Sequence, residues 1–285
     1  MSIIHSLRTA GIIALLVITT SSSAFAAEIS AAPEASTQSS ELRTEPVELN
    51  KDYFTGYLTD TRDILTSPAR WDKYDWLKAS LVMGVAVGLY TQDDKIKTSV
   101  QGHKNTTKDD LSDAAKKLYT LSLPAIVGLG VYGYVAPDEK AKTTFLLSAE
   151  SFVITGVFVQ VLKYSTGRHR PDTGDPHDTW SGFTSNGAYH SFPSGDASTA
   201  FAISSVVASE YDNIFVPPLV YGISTLIALE RVYKNGHWAS DAFIGSAIGY
   251  FTGKAVVASH SKKSNVSFVP WIDRQDMGVM MTYRY

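Results

Sequence analysis

Long apolar runs separated by helix punctuation constrain this chain more than any other feature. Residues 118–136 are predominantly apolar, and Pro124, Gly128, Gly130 and Gly133 among them allow close helix packing. Pro137-Asp138-Glu139 opens a second run. It passes through Phe145, Leu146, Phe152, Val153, Val157 and Val161 to about Ser165, and Gly167 ends it. Further helices are expected over about 194–210, 216–233 and 237–259. The predicted fold class is therefore all-α, a helical bundle. Between strongly polar positions the runs measure about 12 to 17 residues, with Glu150 and Gln160 inside one, whereas a spanning helix needs about 20. Buried helices of a soluble bundle fit that length. A membrane form stays open, because lipid also tolerates Pro and Gly within 121–136.

The ends read differently. Arg8, an apolar stretch from Ala10 to Thr20 and the Ala24-Phe25-Ala26 triplet have the pattern of an export signal over 1–26, with a mature start near Ala27. Residues 27–50 are rich in Ala, Ser, Thr, Glu and Pro and read as a disordered lead-in to a helical domain over 51–260. Over 261–285 the period changes. Val266, Phe268, Pro270 and Ile272 alternate, as do Val279, Met281, Tyr283 and Tyr285, which predicts a hairpin turning at 273–278. At 285 residues and 44% hydrophobic, the chain can build one sizeable core. A net charge of −3 gives no basic field for nucleic acid, and the absence of cysteine excludes disulfides and thiolate chemistry.

Three distant segments carry the chemistry. Pro193-Ser194-Gly195 precedes a helix whose first turn offers unpaired N–H groups and the positive end of the helix dipole to an anion. Upstream, Lys163 and Arg170 flank a helix end; downstream lie Arg231, His237 and Asp241. A transferring phosphoryl group spreads negative charge over three oxygens, which cations and N–H donors stabilise. His237 and Asp241 are four residues apart at a predicted helix start. A carboxylate on one imidazole nitrogen would fix the tautomer and leave the other with its lone pair.

The order Lys163, six residues, Arg170-Pro171; then Pro193-Ser194-Gly195; then Arg231, five residues, His237, three residues, Asp241 resembles the three-part signature of the type 2 phosphatidic acid phosphatase superfamily. That superfamily includes bacterial acid phosphatases, lipid phosphatases and vanadium haloperoxidases, and the resemblance covers about 138–259. It implies a helical bundle of the acid phosphatase/haloperoxidase type and a phosphatase of phosphate monoesters or lipid (pyro)phosphates that needs no metal or other cofactor. His237 would be the nucleophile that forms a phosphohistidine, and Asp241 would orient it. Lys163, Arg170, Ser194, Gly195 and Arg231 would hold the phosphate oxygens. An exported, periplasmic protein with optional membrane association is implied.

Two positions depart from the signature. Asp196 stands where the family usually has a histidine that protonates the leaving group, so a carboxyl would do that work. Glu230 stands where it usually has serine, as an orienter of Arg231 or as a charge pair at a helix end. His190, in the long loop over 172–190, is an alternative acid, and His169 reads as a loop residue. Trp180, Phe183 and Tyr189 of that loop would shape the leaving-group side or simply pack the loop. Two other functions stay open: a phosphate-binding protein of the same fold with weakened catalysis, and vanadate-dependent halide oxidation.

Overall fold

A computed structural model describes residues 46–211, 213–261, 266–272 and 277–283. The expected export signal and most of the lead-in lie outside them. Eight α-helices are present among the described residues: α1 (Lys51–Thr66), α2 (Lys73–Tyr90), α3 (Asp93–Gly102), α4 (Thr106–Val135), α5 (Glu139–Thr166), α6 (Gly195–Glu210), α7 (Val216–Tyr233) and α8 (Ala239–Ser259). Two strands follow, β1 (Val266–Ile272) and β2 (Met277–Tyr283). They pair antiparallel with Val266 opposite Tyr283 and Ile272 opposite Met277, the hairpin that the alternation predicts.

Local sequence explains most helix starts. Asn50, Asn105 and Asp138 each accept a hydrogen bond from a first-turn N–H, and Asp72 with Asp75 forms a reciprocal capping box on α2. α5 ends on Gly167 at φ 56°, and a Cβ there would come within 2.2 Å of the Gly182 carbonyl oxygen. Only glycine both takes that turn and lets the 182 segment cross so closely.

The centre of the bundle is the α6–α8 pair. Gly245, Gly249 and Gly253 fall every fourth residue along one face of α8. A Cβ on Gly249 would lie 2.0 Å from the Ser198 carbonyl oxygen, so the two backbones are in direct contact. This contact sets the start of α6 beside the start of α8, where the Ser194 N–H donates to the Asp241 carbonyl at 3.0 Å. A core of Val47, Tyr53, Leu146, Leu147, Ile154, Val206, Val256 and Val257 ties α1 and α5 to this pair.

The expectation that the apolar helices are all buried fails. α4 is one helix of 30 residues, continuous through Pro124, and α5 has 28. At 1.5 Å per residue these measure about 45 and 42 Å. The sequence reading broke α4 short because it stopped at polar residues that the helix passes through. Leu121 (59%), Val127 (52%) and Val131 (58%) of α4 are exposed, as are Leu77, Leu81 and Val87 of α2 and Val153, Val157 and Val161 of α5. By length and composition α4 and α5 could each cross a membrane. Exposed apolar faces of this extent mark contact with lipid or a partner.

Candidate active site

The three segments singled out in the sequence converge. The end of α5 supplies Lys163, whose ammonium donates to the His190 carbonyl at 2.7 Å. Arg170, just past that end, donates to the same carbonyl at 3.3 Å and to the Gly236 carbonyl at 3.0 Å, one residue before His237. Lys163 and the start of α6 also meet, since a Cβ on Gly195 would lie 3.7 Å from the Lys163 Cε. Ser194 is the N-cap residue of α6, but its hydroxyl caps nothing. That hydroxyl is fully buried and has no hydrogen-bond partner. A buried donor left open beside a helix N-terminus is suited to an anion oxygen.

His237 is buried, and its Nδ1 lies 2.6 Å from the Ser191 carbonyl oxygen. A carbonyl can only accept, so Nδ1 carries the proton of the neutral ring and Nε2 keeps its lone pair. Burial, with the Lys163 ammonium and the Arg170 guanidinium nearby, holds the imidazole well below the usual histidine range. The ring is therefore neutral at any ordinary working pH.

Asp241 does not touch the ring as the sequence reading implies. Its oxygens accept from Arg168 Nη1 at 2.5 Å, the Ser191 hydroxyl at 2.5 Å and the Trp238 N–H at 3.1 Å. Its link to His237 runs through Ser191, whose hydroxyl donates to Asp241 and whose carbonyl accepts from Nδ1. The reason is geometric: Asp241 lies in the first turn of α8 and turns back to its N-terminus, while His237 lies two residues before that helix.

Arg168 escaped the sequence reading, although it lies two residues before Arg170. It is fully buried and also donates to the Asp93 carboxylate at 2.9 Å and the Ser240 hydroxyl at 2.8 Å. Its guanidinium lies over the rings of Tyr90, Trp180 and Trp238 at 4.8, 5.0 and 5.5 Å. Asp93, at the start of α3, gives no local signal, because its partners are 75 and 147 residues away.

Asp196 and Glu230 act together on Arg231. Glu230 is buried and grips the guanidinium through Nε and, at 2.6 Å, through Nη2. The reading of Glu230 as a plain charge pair at a helix end therefore gives way to a buried fork that orients the guanidinium. Asp196 accepts from the remaining Arg231 nitrogen, Nη1, at 2.8 Å. The ring of His190 faces the Thr184 carbonyl at 2.9 Å, so that residue serves the site through its backbone. His169 bonds Asp175 and Ser181 and stacks on Tyr189 at 3.8 Å, which pins the loop. Trp180 covers Arg168, while Phe183 of the same loop is 86% exposed.

The arrangement is a helical anion site with an imidazole lone pair among cations. Residues 144–265 match the family model of the PAP2 superfamily. Among curated proteins it is similar to the lipid A 1-phosphatase of Porphyromonas gingivalis, 28% identical over 54% of this chain and 31% of that protein. A PA-phosphatase related-family protein of Dictyostelium discoideum is 31% identical over 48% of this chain and 55% of that protein. The chain thus spans between a third and about half of the length of these relatives. Among solved structures it is similar to Aquifex aeolicus LpxE, with TM-score 0.46 and 20% identity over 58% of this chain and 94% of that one.

A second group of carboxylates and a histidine gathers away from the cradle. Asp60, Glu150 and His260 come together at the other end of α8. Three separate segments contribute them, so no spacing rule could have found them.

Proposed function

We propose that this protein is a phosphatase that removes phosphate from a lipid phosphate through a phosphohistidine on His237. The observation that carries the proposal is a neutral, buried imidazole with Nδ1 tied to Ser191 and Nε2 free, set among Lys163, Arg170, Arg231 and the unpartnered Ser194 hydroxyl. The Nε2 lone pair attacks phosphorus as the bond to the leaving oxygen breaks. Lys163, Arg170, the Ser194 hydroxyl and the first N–H groups of α6 take the charge on the three remaining oxygens. Once phosphate takes up the Arg231 nitrogen that Asp196 holds, the freed Asp196 carboxylate takes a proton from solvent and passes it to the leaving oxygen. Water then attacks phosphorus and gives a proton to the Asp196 carboxylate as the P–N bond breaks, which releases phosphate and restores neutral His237 and protonated Asp196.

The exposed apolar faces of α2, α4 and α5 and the names of the relatives support a lipid substrate and membrane association. The amino-terminal pattern supports export to the periplasm, with mature protein starting near Ala27. The test is a panel of phosphatidic acid, a lipid A phosphate and an aryl phosphate, each with wild type and His237→Ala. A denaturing alkaline quench during turnover should trap base-stable, acid-labile phosphate on wild type only. No turnover of any lipid phosphate by folded, detergent-solubilised wild type would end this reading.

One observation favours a second reading, a phosphate-binding protein with weakened catalysis. The Arg231 guanidinium is engaged by Asp196 and Glu230 on all three nitrogens, so phosphate must displace a carboxylate to reach it. Asp196→His separates the two readings. On the phosphatase reading, wild type turns over below about pH 6 and the variant shifts its optimum towards neutral. On the binding reading, both bind phosphate and neither turns over.

A further inference from the structure

We infer that Asp60, Glu150 and His260 form a divalent-cation site of the kind filled by Zn²⁺, separate from the phosphate cradle. The three residues lie on α1, on α5 and just past the end of α8. One ligand atom from each lies within 4.8 Å of the other two. His260 follows α8, whose other end carries Asp241, so along that helix the two sites are about 30 Å apart.

The decisive group is Glu150. Its side chain is completely buried, and neither carboxylate oxygen has a hydrogen-bond donor. Burying a carboxylate without donors is strongly unfavourable unless a cation faces it. What faces it is His260 Nε2, 3.6 Å from Oε2. Two atoms bound to one tetrahedral Zn²⁺ at about 2.1 Å stand about 3.4 Å apart, so this separation leaves room for an ion between them.

The surroundings prepare the ligands. His260 Nδ1 lies 3.1 Å from both the Val256 carbonyl oxygen and the Ser259 hydroxyl and 3.7 Å from Asp60 Oδ2; with its proton on the carbonyl, Nε2 is left as the ligating nitrogen. The Ser259 hydroxyl donates to Asp60 Oδ2 at 2.5 Å and orients that carboxylate. Two carboxylates and a neutral imidazole would exactly balance a 2+ charge. The imidazole and the low ligand number favour Zn²⁺ over Mg²⁺ or Ca²⁺, which prefer six or more oxygens. A cavity of about 420 Å³, lined by Val47, Asn50, Tyr53 and Ser259, reaches His260. The ion would clamp α1 onto α5 and α8, so its role is structural.

The test uses full-length detergent-solubilised protein, stripped with chelator and titrated with ZnCl₂, with MgCl₂ alongside. Metal analysis after gel filtration should give one Zn²⁺ per chain, and Zn²⁺ should raise the melting temperature and slow amide exchange in 51–66. Glu150→Gln, which replaces the orphan carboxylate with a neutral amide, and His260→Ala should each weaken Zn²⁺ binding at least about tenfold. Phosphatase turnover at 25 °C should be the same in both variants as in wild type. Failure of wild type to retain Zn²⁺ overturns the inference and means that Asp60 and Glu150 share a proton instead. So does retention of Zn²⁺ by both variants with unchanged affinity. Neither result touches the phosphatase reading, which rests on other residues.

Discussion

The two ends of α8 solve opposite problems with similar residues. At its start, Asp241 is buried, yet three donors satisfy it, and one of them, Arg168, carries a full charge. At its end, Glu150 from α5 is equally buried and has no donor. The first carboxylate belongs to a finished network whose open positions are donors, Ser194 and the first N–H groups of α6. The second belongs to a cluster whose open positions are acceptors. Open donors call for an anion and open acceptors for a cation, so on the two proposals one helix would serve ligands of opposite charge at its two ends.

Substitutions that act on one end only sharpen this contrast. The largest effect expected is from His237→Ala, which should lower kcat by about a thousandfold or more and remove the trapped phosphoenzyme while leaving Zn²⁺ binding intact. Arg168→Met comes next. It leaves Asp93 and Asp241 buried without their cation, which should cost about 3–5 kcal/mol in a denaturant titration. An unchanged midpoint would mean that those carboxylates do not depend on Arg168. Gly249→Ala tests the link between the ends. Its Cβ would start 2.0 Å from the Ser198 carbonyl oxygen, so α6 and α8 must separate. A loss of about 1–3 kcal/mol together with lower kcat is expected, because the same contact sets Ser194 beside Asp241.

The smallest effect is on pH dependence. His237 titrates near 6.5 in the unfolded chain and well below that in the folded one. Between these values the unfolded state binds the extra proton, so stability falls as pH drops below about 6.5. His237→Asn should flatten the melting temperature between pH 6.5 and 5. An identical slope in both proteins would place the titrating group elsewhere.

Much of this was legible before any coordinates. Helix starts at Asp138 and Val216 and the ends at Glu210, Tyr233 and Ser259 follow from capping residues and apolar periodicity, which act within a few residues. The cradle was legible as well, because Lys163, Arg170, Ser194, Arg231 and His237 occupy ordered, spaced positions. The length of α4 was not, since a polar first half and an apolar second half look like two pieces until backbone hydrogen bonds join them. The outward face of its leucines was not legible either, because apolar residues read the same against a core or against lipid.

The order and chemical type of the phosphate-site groups are properties of the sequence alone, because each motif is short and its spacing survives any packing. What the fold alone decided is who pairs with whom: Asp241 with Arg168 and Ser191 rather than with His237, Asp196 with Arg231, and Asp60 and Glu150 with His260. Those pairings join residues from 35 to 200 positions apart. The glycine face of α8, which lets α6 lie directly against it, brings the segments around Ser194 and Asp241 together.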